Sequence, residues 1–225
     1  MAASETTKKI WKLLYLHVVD HGLLRLLYSN FHRLPGGLYR SNQPSPSKLR
    51  WYREKYGIKT VVNLRGGDSD NPSWQLEKGM CDQLGVKLVD LRLFSRSYPY
   101  REDIRLVKET VLSIEYPALV HCKSGADRAG LFSVLYRIFR LGEPVEKAVS
   151  ELSLRYGHLK CARTGTLDQF FLEYQKYREL NNSCLSLEDW VDQHYDREHL
   201  KSLRPERGMG ERLGNFLTDK VLRRE

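Results

Sequence analysis

The segment PALVHCKSGADRAGLFSVLYRIF, residues 117–139, constrains the fold of this chain more than any other. It opens on PALVH, a short continuous apolar run with the length and composition of a strand buried on both faces. A loop of glycine and small polar residues follows, and apolar residues at helical spacing resume near Arg128. Strand, tight loop and helix in one stretch point to the α/β class, in which helices cover a mainly parallel sheet.

The remainder of the chain repeats that rhythm. GLYRSN (37–42) and IKTVVNLRG (58–66) read as strands, separated by SPSKLRWYREKYG, whose Ser-Pro pair is a helix start. VKLVDLRL (86–93) alternates as a third strand, with helices expected over 73–84 and 101–114. After the loop, RAGLFSVLYRIFRLG, PVEKAVSELSLRYG and TLDQFFLEYQKYREL read as successive helices. The expected organisation is a body over 35–180, an amphipathic helical extension over 1–34 and a helical extension over 181–225. Within the last, LEDWVDQHYDREHL reads as one amphipathic helix packed on the body or on a partner.

A chain of 225 residues that is 41% hydrophobic can bury one core. Lysine and arginine number 37 against 28 acidic residues, and the net charge of +9 suits an anionic partner. Cys81, Cys122, Cys161 and Cys184 are scattered with no CxxC pair, which fits a reducing cytoplasm. No run approaches the ~18 apolar residues of a membrane span. MAASETTKKIWKLLYLHVVDHG is read as retained, because lysine and histidine interrupt its apolar stretch and no leader-type cleavage site follows. Its apolar face either packs on the domain or lies at a membrane interface, which would give peripheral membrane contact. His17 and His21 stand four apart without a third ligand, and no metal site is expected.

The loop carries the chemistry. A strand ending at His121, a turn at Ser124 and Gly125, and a helix beginning near Arg128 gather backbone N–H groups around one concavity. Those amides and the positive helix end favour a bound phosphate and the thiolate of Cys122. Arg128 presents a planar fork to two phosphate oxygens, which lysine cannot copy.

His121, Cys122, Gly125 and Arg128 in the order H-C-x-x-G-x-x-R resemble the phosphate loop of the cysteine-dependent protein tyrosine phosphatases. LYRSNQP and TVVNLRG extend the resemblance to the bacterial and atypical dual-specificity branch, over about 35–178. The resemblance implies a three-layer fold with a central mainly parallel sheet flanked by helices, and a phosphocysteine mechanism without metal or cofactor. It implies Cys122 as nucleophile, Arg128 as phosphate ligand, and phosphate-binding amides from Lys123, Ser124, Gly125, Ala126 and Asp127. His121 would orient the loop, and Lys123 is either an added charge for the substrate or a solvated loop lysine.

Two positions depart from the family pattern. Ala129 stands where a serine or threonine hydroxyl usually helps the sulfur leave, so slow turnover of the phosphoenzyme is expected. The general acid usually lies on the loop that here reads LRLFSRSYPYRED, and Ser95-Arg96-Ser97 holds no carboxylate. Asp90 falls inside the strand, where a supporting role is expected. Glu102 and Asp103 open a helix as caps. Asp127 makes C-K-S-G-A-D-R similar to the C-x-x-G-x-D-R loop of myotubularin-type lipid phosphatases, where the in-loop aspartate is the proposed acid. Asp127 is therefore either the acid or the partner of a basic neighbour that shapes the loop.

Arg40 and Arg65 end strands at the sheet edge and are either substrate contacts or structural pairs. The aspartates of GGDSDNP decorate a turn. The function expected is hydrolysis of a phosphoprotein, lipid phosphate or sugar phosphate, with no nucleic-acid partner. A low-activity phosphate-binding module is the alternative, and sulfur transfer or arsenate reduction on a similar loop is a third reading.

Overall fold

The computed structural model describes residues 28–202 and 214–215. The expected N-terminal helix, its membrane contact, His17, His21 and most of the tail after 202 lie outside the described residues. Two compact units divide the chain at Arg92/Leu93, Ser113/Ile114 and Gly125/Ala126.

The first unit holds the sheet. Its strands are β1 (His32–Arg33), β2 (Leu38–Asn42), β3 (Thr60–Asn63), β4 (Lys87–Asp90) and β5 (Ala118–Cys122), in the order β1-β2-β5-β3-β4. β1 is antiparallel to β2 and every other pairing is parallel. β5 pairs with β2 from Leu38↔Ala118 to Asn42↔Cys122 and with β3 from Thr60↔Ala118 to Asn63↔His121. Its five residues are all buried, as the continuous apolar run requires of a central parallel strand. The register also brings the carboxyl ends of β2, β3 and β5 to one edge, where α/β sheets present their sites.

Helices α1 (Pro46–Tyr56) and α2 (Pro72–Leu84) begin as their sequences require. Ser45 accepts from Lys48 N and Asn71 from Ser73 N and Trp74 N, each followed by a proline whose missing N–H costs the first turn nothing. Tyr39, Leu49, Tyr52, Ile58, Val61, Cys81, Val86 and Leu119 form one buried cluster, with Phe31 stacked 4.4 Å from Tyr52. Each large side chain so buried contributes about 1.5–3 kcal/mol of transfer free energy. Burial pushes the Cys81 thiol up to about 12, so that residue acts as a small apolar side chain.

β3 and β4 are shorter than the runs 58–66 and 86–93. β3 stops at Asn63 because its side chain replaces the ladder: Nδ2 donates to Gly66 O at 3.1 Å and to Asp90 Oδ1 at 2.8 Å, while Oδ1 accepts from Arg65 N at 3.0 Å.

The second unit is helical. It contains α3 (Arg101–Ser113), α4 (Asp127–Phe139), α5 (Val145–Ala148), α6 (Thr166–Leu180), α7 (Leu187–Gln193) and α8 (Arg197–Ser202). α4 is buried continuously from Asp127 to Tyr136, matching its lack of a polar face.

Two expected helices break. PVEKAVSELSLRYG is helical only as α5 and short 3-10 turns at Val149–Glu151 and Leu154–Tyr156. The backbone leaves helical space at Leu152 and Ser153, and Glu151 instead meets Arg137 Nη1 at 2.8 Å in a nearly buried pair. LEDWVDQHYDREHL divides into α7 and α8. Buried Tyr195 donates its hydroxyl to Pro99 O at 2.7 Å and packs 5.0 Å from Phe170, and Asp196 Oδ1 caps α8 by accepting from Glu198 N and His199 N. Tertiary contacts here outweigh helical propensity. No helix among the described residues is long and apolar enough to cross a membrane.

Candidate active site

Cys122 closes β5 at 2% exposure, and its Sγ accepts from Gly125 N at 3.2 Å. The loop that follows is pinned by its carbonyls. Lys123 O accepts from Gln43 N at 3.5 Å, Ser124 O from Asn30 Nδ2 at 3.1 Å, and Gly125 O from Arg40 Nη2 at 2.9 Å. In a trans peptide the N–H points opposite the C=O. The amides of Ser124, Gly125 and Ala126 are therefore turned to the other side, away from these donors. Such a row of amides has the form of an anion nest.

Gly125 permits this path. Its φ is +75°, and a Cβ there would lie 2.6 Å from Asn42 N and Ser41 C. Arg40, expected at a site mouth, is fully buried in β2 and supports the loop from behind. His121 is also fully buried, with Nε2 2.6 Å from Glu77 Oε1 on α2 but off the alignment of a hydrogen bond, while its carbonyl accepts from Leu64 N at 2.9 Å. Arg65 donates to Gln43 Oε1. Asp90 is exposed and accepts from Asn63 Nδ2 and from Trp74 Nε1, at 3.1 and 3.0 Å to its two oxygens in the latter case. Its role is to tie β4 to β3 and α2.

In the second unit, Asp127 and Arg128 are the first residues of α4, exposed by 3% and 8%. Ala129 is fully buried and its carbonyl accepts from Ser133 Oγ at 2.7 Å. Asp127 Oδ1 lies 2.8 Å from His158 Nδ1, and His158 Nε2 lies 2.6 Å from Asp168 Oδ2 on the first turn of α6. Burial pulls the imidazole down, but Asp127 and Asp168 outweigh it and raise the group to about 8.

A folded value above the unfolded 6.5 stabilises the protein fully below pH 6.5, and that contribution is lost as pH rises through about 8. Urea denaturation should therefore show about 2 kcal/mol less stability above pH 8 than below pH 6.5 in the wild type. Asp168→Asn should flatten this dependence.

Residues 93–100 belong to the same unit. Ser95 and Tyr98 are buried, Phe94 and Tyr100 are exposed, and the Arg197 guanidinium covers the Tyr100 ring at 3.8 Å. Glu102 and Asp103 occupy the first turn of α3. Burial raises Asp103 above the usual carboxylate range against a backbone hydrogen bond from Tyr100, the return bond of a helix cap.

The family model described as PTP-NADK, DSP-PTPase phosphatase fused to NAD+ kinase, matches residues 34–170. The chain belongs to this family. The dual specificity protein phosphatase TpbA of Pseudomonas aeruginosa, in strains UCBPP-PA14 and PAO1, is 27% identical over 124 residues, which are 55% of this chain and 53% of TpbA. The chain thus spans about half the length of the curated relatives it matches. Among solved structures, the core catalytic domain of the PP-IP phosphatase SIW14 from S. cerevisiae, in complex with citrate, aligns with a TM-score of 0.52. It is 21% identical over 69% of this chain and 94% of that one, a likeness of fold.

For a DSP-PTPase domain, three of the residues that shape the loop region escape sequence reading. Glu77 lies in the ordinary helical run QLEKGM, and Asp168 resembles any first-turn acid. His158 follows a segment that reads as helix, 31 positions from Asp127. A lone histidine at that separation gives no signal in one sequence.

Proposed function

We propose that this DSP-PTPase domain hydrolyses phosphomonoesters through a phosphocysteine on Cys122. The observation that supports this most is the pinned loop itself: Cys122 Sγ receives the Gly125 N–H while three successive carbonyls are held away. In the first step the Cys122 thiolate attacks phosphorus, an S–P bond forms, and the P–O bond to the leaving group breaks. The leaving oxygen takes a proton from solvent water. The loop amides and the Arg128 fork hold the charge on the equatorial oxygens. In the second step water attacks phosphorus, the S–P bond breaks, and phosphate and the thiolate are regenerated. The catalytic domain in this reading is 35–180, flanked by extensions over 1–34 and 181–225, and scattered free cysteines favour a cytoplasmic enzyme.

Residues 93–100 hold no carboxylate, and Asp127 is engaged by His158. A positioned general acid contributes ~10²–10⁴-fold, most for a poor leaving group. The proposed substrate class is therefore an aryl phosphate such as phosphotyrosine, ahead of alkyl phosphates of serine, lipid or sugar. Wild type should turn over an aryl phosphate many times in excess chelator. One turnover and arrest would instead favour a phosphate-binding module, the reading that Ala129 supports. Because Ala129 supplies no hydroxyl to the departing sulfur, product should appear as a burst followed by a slower steady rate. Ala129→Ser should raise that steady rate by ~10–100-fold, the worth of one hydrogen bond to a charged group. A linear progress curve unchanged by the substitution would contradict this.

A further inference from the structure

We propose that His158 is a positioning residue for the phosphate loop: a buried imidazolium that holds Asp127 as a carboxylate and ties the first turn of α4 to the first turn of α6. This inference rests on residues 122–128 being the phosphate-binding loop.

His158 is fully buried at its side chain and has a carboxylate oxygen at hydrogen-bond distance from each ring nitrogen. A neutral imidazole carries one N–H, so one of the two contacts would set lone pair against lone pair. Two contacts of 2.8 and 2.6 Å need two bridging protons. An imidazolium supplies both. Asp168 is partly exposed at 19% and has Lys160 Nζ 3.4 Å from its other oxygen. Asp127 sits at the N-terminus of α4, where the helix field favours a carboxylate.

Among the described residues, the charged groups facing the ring are Asp127 from α4 and Asp168 from α6, with Lys160 acting through Asp168. A protonated His158 places one cation between these two carboxylates. Loss of that proton leaves Asp127 beside an uncharged ring, in the loop residue directly before Arg128. Asp127 is accordingly an anchor and not the proton donor, and activity needs a charged His158.

The test is made on the full chain. The ring of isotopically labelled His158, followed by NMR, should titrate near pH 8 in wild type and clearly lower in Asp168→Asn. The kcat for an aryl phosphate should fall on the alkaline side with the same midpoint. In His158→Gln it should be lower by ~10–100-fold, the cost of a misplaced catalytic group, and should lack that limb. Combining Asp127→Asn with His158→Gln should cost no more than the worse single change. If His158→Gln folds poorly, Asp168→Asn carries the same prediction, with the alkaline limb moved to lower pH. A ring that titrates at or below 6.5, or a His158→Gln enzyme with wild-type kcat and pH profile, would overturn the inference. Absence of any wild-type turnover would strike the phosphatase reading instead. The NMR midpoint, together with the ratio of inorganic-phosphate affinities of wild type and His158→Gln, would still decide the role of His158.

Discussion

Cys122→Ser should abolish phosphate-ester hydrolysis while leaving the fold and its stability almost unchanged. In the proposed mechanism the thiolate is the attacking species, and a serine hydroxyl in the same place is neutral and a far weaker nucleophile, so the expected loss is ~10⁴-fold or more. The structural cost is small because the change is nearly isosteric. Gly125 N, which donates to Sγ at 3.2 Å, can donate to a hydroxyl oxygen instead. Thermal melting should shift by no more than about 1 kcal/mol allows. Phosphate should still bind, since loop amides and Arg128 are retained. A Cys122→Ser protein with measurable steady turnover would place the nucleophile elsewhere.

Gly125→Ala should lose both stability and activity. Alanine at φ +75° pays for a left-handed backbone, about 1 kcal/mol. The larger cost is steric. The new methyl would meet Ser41 C and Asn42 N at 2.6 Å and Ser41 O at 2.7 Å, all of them backbone of β2. β2 is paired with β1 on one side and β5 on the other, so it cannot retreat without breaking ladder bonds. Overpacking of this kind costs about 1–3 kcal/mol, which gives a total near 2–4 kcal/mol. Relief by moving the loop would break the Arg40 bond to Gly125 O and the Gly125 bond to Sγ. Urea denaturation should show the lower midpoint, and the fraction that remains folded should be inactive. An unchanged midpoint with full activity would contradict the geometry at this residue.

The parts of the fold legible in the sequence were those where one pattern decides. PALVH reads as a central strand because burial on both faces removes the apolar–polar alternation, and Ser45-Pro46 and Asn71-Pro72 mark helix starts by their own hydrogen bonding. β1 is two residues, His32 and Arg33, too short and too polar to show a period. The breaks at Leu152 and at Tyr195 depend on partners far along the chain, Arg137 and Pro99, that local spacing cannot reveal.

The candidate site divides the same way. The spacing of His121, Cys122, Gly125 and Arg128 is local, so one sequence is enough to single these residues out as candidates. Arg40 carries no such signal, since its acceptor is 85 residues away and its strand is buried throughout. Asp127 was legible as a candidate but not its state, because His158 and Asp168 reach it only through the tertiary structure.

The central claim is a covalent phosphocysteine, and trapping it is the most direct test. Wild-type protein mixed with an aryl phosphate and quenched in acid within the burst should carry one phosphoryl group, located by mass spectrometry on the peptide containing Cys122. Cys122→Ser should carry none, and Ala129→Ser should carry less at steady state. A protein that turns over substrate with no phosphoryl group on Cys122, or with one on another residue, would contradict the mechanism.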